Sequence, residues 1–370
     1  MTNGTSVRLG GEGRVAAVVG GRSQFRLLPG EAVRVTPEGR GIRVAGDAGA
    51  GRYERLTFVS LDRSRFVTVE GKPYRGVVDV FVGGGALTVV NEVPVEAYLA
   101  GVVNAELGRR TANERAAVEA QAIVARTFAL KNIGRRSADG FDLRATPADQ
   151  AYGGVAAETE LGRQAVRATA GKVVTYRGEL IETFFHSTCG YSTASPEEVF
   201  RWGRRLPYLR PVSDRRPNGH YCDISPRFRW TVEWEAETLQ RILRRTVPAV
   251  LGIEGAKIDV LRDVRVHRTG PSGRVIEARI GVSQGEVPVF GPDLRSVLRT
   301  PDGRLLGSTA VQFAVDKRDG RVQRVQVSGA GWGHGVGMCQ WGAVGRARAG
   351  QDARTIVTTY FPGTRIERRY

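Results

Sequence analysis

One carboxylate stands where a helix should be apolar. At about 100° per residue, VEAYLAGVVNAEL aligns Val95, Tyr98, Leu99, Val102 and Val103 on one stripe. Glu106 falls in the middle of that stripe, whereas Glu96 and Asn104 point elsewhere. A carboxylate centred on a buried face is costly unless it is paired or partly neutral. Low-dielectric surroundings raise the pKa of such a group, which suits a general acid at neutral pH. A Glu in a frayed last turn beside Gly108, reaching water, fits the same position.

Other candidates follow along the chain. A second helix is expected over 113–134; from Ala116 to Leu130 it is apolar except at Glu119, Gln121, Arg126 and Thr127. Gln121 and Arg126 therefore fall among buried side chains and need partners. Arg126 could pair with a carboxylate, tie helices together or hold a sugar. In FFHSTCG, His186 ends an apolar strand and Ser187 follows. A His there can serve as acid, base, hydrogen-bonding group or ligand, or be structural. No GxSxG nucleophile elbow surrounds Ser187, which argues against a serine hydrolase.

The stretch GAGWGHGVGMCQWGAVG, residues 329–345, has glycine at every second position from 329 to 337. Its register fits neither a dinucleotide fingerprint nor a P-loop, and no Lys follows. Alternating glycines let a ligand or another backbone approach closely. Trp332 and Trp341 offer flat faces of the kind that stack on sugar rings, beside His334 and Gln340. Cys189, Cys222 and Cys339 form no CxxC pair. One disulfide with a free thiol, three buried thiols, and a metal site are all open. With His186 or His334, the three thiols would make a Cys3His zinc site.

The elements that must position these residues read as α+β. Residues 5 to about 90 alternate short β-branched strands with Pro/Gly turns. Pro94 and Gly108 then bracket the first helix. Strands return near Gly171, a helix begins near residue 236, and a short one ends before Pro362. The expected plan is a β-rich part, 1–86, and a mixed domain, 87–370, with a buried two-helix unit and several short strands. That domain would carry a β-rich insertion over about 230–327.

The bulk composition narrows the function classes. The 370 residues carry a net charge of +17, and five of the 55 basic residues are Lys, leaving 50 Arg. A basic surface favours polyanions such as acidic cell-wall polymer. The Arg residues are scattered and no nucleic-acid-binding signature appears, so no nucleic acid partner is expected. No apolar run approaches the roughly 20 residues of a membrane span. The start, MTNGTSVRLGGEGR, shows no secretory signal.

Four segments together resemble the SpoIID/LytB family: VVNEVPVEAYLAGVVNAELG, ERAAVEAQAIVARTFAL, ATAGKVVTYRGELIETFFHSTCGYST and VSGAGWGHGVGMCQWGAVGRARAG…YFPGTRI. They span roughly residues 87–366, in family order. The resemblance implies an extracytoplasmic lytic transglycosylase that cleaves between N-acetylmuramic acid and N-acetylglucosamine. Its substrate would be peptidoglycan strands stripped of peptides by a cell-wall amidase. The family's catalytic Glu falls on Glu106; Arg126, His186, Ser187, Trp332, His334, Gln340 and Gln121 would bind the substrate, with His334, Trp332 and Trp341 opposite Glu106. No cofactor is required by that reaction. The alternative is a non-catalytic glycan-binding protein that enhances an amidase.

The sequence departs from the family in three places. Sporulation members can carry a zinc-binding Cys/His stretch after the second helix; here GFDLRATPADQAYGG has neither residue, so that site is not carried over. Cys189 and Cys339 stand where those members usually have Ser, and Tyr191 where a second Gly is common.

Overall fold

The computed structural model describes residues 5–370. Residues 1–4, the start of the segment read as lacking a secretory signal, lie outside the described residues. The chain forms two compact units, with an α+β content of many antiparallel strands and eight α-helices among the described residues.

Of the described residues, unit 1 comprises 5–173, Leu180–Glu182 and Glu367–Tyr370. Eleven strands between Val7 and Glu92 form a six-stranded and a five-stranded sheet. Period-two alternation sends every second residue inward: Val78 and Val80 are buried, while Asp79 and Phe81 are half-buried. The inward faces share one core, with Leu9, Val33 and Val35 from one sheet and Leu56, Phe58 and Val78 from the other. The expected break after residue 86 is corrected here. Ala86–Glu92 pairs along its length with Val77–Gly83, so a cut at 86 would split a hairpin, and this unit continues through the next helices.

Those helices are α1 (Val95–Leu107), α2 (Arg115–Lys131) and α3 (Glu160–Ala168). Pro94 opens α1, and the Gly108 N–H closes it on Asn104 O. A 3-10 turn, Ala112–Glu114, precedes α2, where the Thr111 N–H donates to the Glu114 carboxylate at 3.0 Å. As expected, α2 is buried on most of its surface. The sequence reading passed over α3, whose Thr159 hydroxyl caps the Gly162 N–H at 3.1 Å.

Unit 2 comprises Val174–Glu179 and Thr183–Ile366. Its first part holds the strand Phe185–His186 and the four-residue helix α4 (Pro196–Val199). From Arg229 to Ala330 run two three-stranded antiparallel sheets with helices α5 (Ala236–Leu251) and α6 (Gly291–Val297). Trp234, Leu239, Leu243, Ile280 and Val325 are in their common core.

The last part holds the strand Met338–Cys339, parallel to Phe185–His186, then α7 (Gln340–Arg348) and α8 (Ala353–Tyr360). The glycine stretch is thus half loop and half helix. A Cβ at Gly337, whose φ is +73°, would overlap the Phe184 carbonyl oxygen. One at Gly345, inside α7, would overlap the Tyr221 carbonyl oxygen. Of the two partners expected for these glycines, ligand or backbone, the structure supplies backbone at both. Among the described residues no helix is long and apolar enough to cross a membrane.

Candidate functional site

Glu106 is in the last turn of α1. Leu99, Val102 and Val103 are buried beneath it, as the helical stripe requires. Glu106 itself is half-buried, more open than its place in the middle of that stripe predicts. Its Oε1 accepts the backbone N–H of Ala151.

The segment that supplies this donor is held firmly. Buried Gln150 accepts the Tyr98 hydroxyl at 3.0 Å and donates to Ala125 O at 3.4 Å. The Tyr152 hydroxyl donates to Asn91 at 2.7 Å. Asp149 pairs with Arg136 at 2.9 Å and accepts the Arg144 N–H at 2.8 Å. Charge pairing therefore fixes the stretch where sporulation members can carry Cys and His. Burial, and then the neighbouring Glu106 charge, raise the Tyr98 phenol. The result is a carboxyl group oriented by a rigid backbone donor, with part of its surface open to solvent.

Two other unit 1 candidates are corrected. Arg126 is 0% exposed, and its guanidinium donates to Glu96 at 2.8 and 2.7 Å and to Lys172 O at 3.1 Å. Glu96, read as pointing away from the stripe, is its counter-ion and also accepts the Tyr370 hydroxyl at 2.7 Å. Burial raises the Glu96 pKa, but the bonds from Arg126 and Tyr370 outweigh it and hold the carboxyl below its usual range. Gln121 is also 0% exposed. Both side chains belong to the helix interior, where a glycan does not reach them.

Unit 2 brings His186, Ser187, Trp332 and His334 onto one strand pair and its flanking loop, with Gln340 at the start of α7. The His186 and His334 rings lie 5.5 Å apart. The Val336 N–H donates to His334 Nδ1 at 3.1 Å, which places the proton on Nε2, and the ring also bonds the Phe185 backbone. His334 therefore spends its Nδ1 on local backbone. His186 Nδ1 bonds Val336 O at 3.2 Å, while Nε2 is buried without a partner. Burial, reinforced by the Arg274 charge, takes His186 down to about 3. Burial, reinforced by His186, does the same to His334, down to about 3. Both shifts favour the uncharged imidazole, although the His334 ring is half-buried by its surface exposure.

The remaining candidates are mostly engaged. The Ser187 hydroxyl lies 3.3 Å from that of Thr188. Gln340 is 7% exposed and begins α7. Trp332 is half-buried with the Arg227 guanidinium 4.5 Å above its ring, which corrects the reading of it as an open sugar-stacking face. The open aromatic surface is elsewhere. Phe200 and Trp202 stack at 4.9 Å and 13°, Phe200 lies 5.5 Å from His334, and Trp202 is 52% exposed. The sequence reading missed these residues; an exposed Trp in FRWGRR was the available signal.

Cys189, Cys222 and Cys339 do converge, each 0% exposed and none in a disulfide. The fourth member of the group is Asp214, which replaces the expected His186 or His334; the four donor atoms lie within 4.8 Å of one another. Hydrogen bonds from Cys189 and Cys222 outweigh burial and lower the Cys339 thiol.

Comparisons with known proteins concern the family of the chain. The family model described as stage II sporulation protein, SpoIID, matches residues 83–176, which include α1, α2 and Glu106. A domain of unknown function matches residues 212–337. The chain is 30% identical over 293 residues to stage II sporulation protein D of Bacillus subtilis, covering 75% of each chain. It is 31% identical over 300 residues to an uncharacterized protein of Brachyspira hyodysenteriae, covering 81% of this chain and 73% of that one. The amidase enhancer of Bacillus subtilis is 28% identical over 352 residues, with 85% of this chain covering 47% of that longer protein. At that identity and coverage, with its first two helices inside the matched segment, this chain belongs to the SpoIID family.

Proposed function

We propose that the chain is a lytic transglycosylase of cell-wall glycan, with Glu106 as its single catalytic carboxyl group. The observation that carries the reading is Glu106 itself, half-buried at the end of α1 and oriented by the Ala151 N–H. In the proposed reaction the protonated Glu106 gives its proton to the oxygen between N-acetylmuramic acid and N-acetylglucosamine. The bond from that oxygen to the muramic C1 breaks. The Glu106 carboxylate then takes the proton of the muramic acid's own 6-hydroxyl as its oxygen attacks C1. The products are a 1,6-anhydro end and a new free end, and Glu106 is again protonated.

No water enters, so the second carboxylate of ordinary glycosidases is unnecessary. The tethered hydroxyl supplies the proximity that a second group would otherwise provide. The reaction needs no cofactor. Its substrate is extracytoplasmic, and so, in this reading, is the protein. The exposed Phe200–Trp202 stack is proposed to hold a sugar face.

A second reading has its own support. The amidase enhancer relative and the exposed aromatic stack fit a glycan-binding protein that stimulates an amidase without cutting the glycan. Mass spectrometry of intact and amidase-treated peptidoglycan, incubated with the pure chain, separates the two. The transglycosylase reading expects new anhydro ends, chiefly from the treated material. Glycan retention and amidase stimulation with no new anhydro ends would instead support the second reading and overturn the first.

A further inference from the structure

We infer that Cys189, Asp214, Cys222 and Cys339 form a closed, structural zinc site in unit 2. The four donors come from distant parts of the sequence. Cys189 follows the His186 strand, and Asp214 precedes the hairpin Arg215–Arg216/Gly219–His220. Cys222 lies in the 3-10 turn Tyr221–Ile224, and Cys339 caps α7. Their donor atoms lie within 4.8 Å of one another, and all four residues are fully buried.

The spacing suits a tetrahedral ion. With zinc–sulfur bonds of about 2.3 Å, neighbouring sulfurs sit about 3.8 Å apart. The Cys189 and Cys222 sulfurs are 3.5 Å apart. Three thiolates and one carboxylate favour zinc over harder ions, and four protein donors leave no open position for catalysis.

The surroundings fit an anionic metal centre. Cys339 Sγ accepts two backbone N–H groups, from Cys189 and Gly342, each at 3.2 Å. Asp214 is oriented by the Tyr360 hydroxyl at 2.6 Å and the Cys222 N–H at 2.9 Å, with Arg346 at 3.4 Å. Such partners around a ligand fix its geometry.

Arg274 gives an independent indication. It is 0% exposed, donates to the Cys189 carbonyl at 2.9 Å, and among the described residues has no hydrogen-bond partner at Nε or at NH1; the buried Glu198 carboxylate acts on it through space while accepting the Ser195 and Ser272 hydroxyls. A buried guanidinium needs a compensating negative charge. Zinc with three thiolates and a carboxylate carries two net negative charges, which Arg274 and Arg346 offset. A Cys189–Cys222 disulfide would use two of the three sulfurs and leave only Cys339 and Asp214 as donors.

The test uses the full chain, purified without a metal-affinity tag, reduced and freed of metal with a chelator. Co2+ is added and then displaced with Zn2+. The expected result is the visible spectrum of tetrahedral thiolate-bound cobalt, lost on adding about one equivalent of zinc for a single four-coordinate site. Tyr360→Phe should keep that spectrum and weaken zinc affinity by about 10–100-fold. Cys222→Ser should change it, and the wild-type spectrum decides the matter if that variant does not fold. An octahedral spectrum, or no cobalt binding by the reduced wild type, overturns the site.

Discussion

Unit 1 and unit 2 both bury guanidinium groups, and they neutralise them differently. In unit 1, Arg126 meets Glu96 in a two-point ion pair and Arg136 meets Asp149. In unit 2, Arg346 meets Asp214 at 3.4 Å, but among the described residues Arg274 has no hydrogen bond from Nε or NH1 and only the through-space charge of Glu198, His186 Nε2 has no hydrogen bond, and three thiols crowd the Asp214 carboxylate. Paired charges hold elements together and leave little for a ligand to do. Unpaired buried groups are costly, and they persist where a ligand or neighbouring charge completes them. The contrast assigns scaffolding to the polar interior of unit 1, with Glu106 at its rim, and a binding role to the polar interior of unit 2.

The largest effect expected from this contrast is in unit 1. Glu96→Gln leaves Arg126 buried without its counter-ion and should cost about 3–5 kcal/mol in denaturant unfolding. Replacing both residues with apolar ones of similar size should recover most of that loss. A cost below about 1 kcal/mol, the range of an exposed pair, would remove the scaffolding role.

Acid should act on unit 2. Two of its four imidazoles, His186 and His334, sit at about 3 in the fold, below the unfolded value of about 6.5. The unfolded chain therefore binds more protons between those values, and stability falls as pH drops from about 6.5 toward 3. Each ring contributes a slope of up to about 1.4 kcal/mol per pH unit. Unfolding midpoints of wild type and His186→Asn from pH 7 to pH 4 should show a shallower slope in the variant. Equal slopes would contradict the buried, neutral state of His186.

The smallest effect is at the surface. Trp202→Ala should weaken glycan retention by about 0.5–1.5 kcal/mol, the scale of one aromatic contact, without shifting the unfolding midpoint. Unchanged retention would sink the sugar platform.

The sequence made the helical parts of this picture legible. Strong periodicity places α1, α2 and α5 within a few residues, and the same wheel singles out Glu106. It failed where tertiary contacts override local pattern. Glycine disfavours helix, yet Gly345 sits inside α7 because a side chain there would collide with the Tyr221 carbonyl. Glu96 lies off the apolar stripe of α1, and only the packing of α2 reveals it as the partner of Arg126. Asp214 joins the cysteines through the hairpin that follows it, which no spacing rule encodes. The histidines were legible as residues of interest, but not the backbone groups that occupy their nitrogens.

The most direct test of the central claim compares wild type with Glu106→Gln on amidase-treated peptidoglycan, counting 1,6-anhydro ends by mass spectrometry. The substitution keeps the shape of the side chain and an acceptor for the Ala151 N–H, and removes the acid. Anhydro ends should rise with wild type and stay at background with the variant, while both proteins unfold at the same midpoint. Equal release of anhydro ends by a folded Glu106→Gln variant would contradict the assignment.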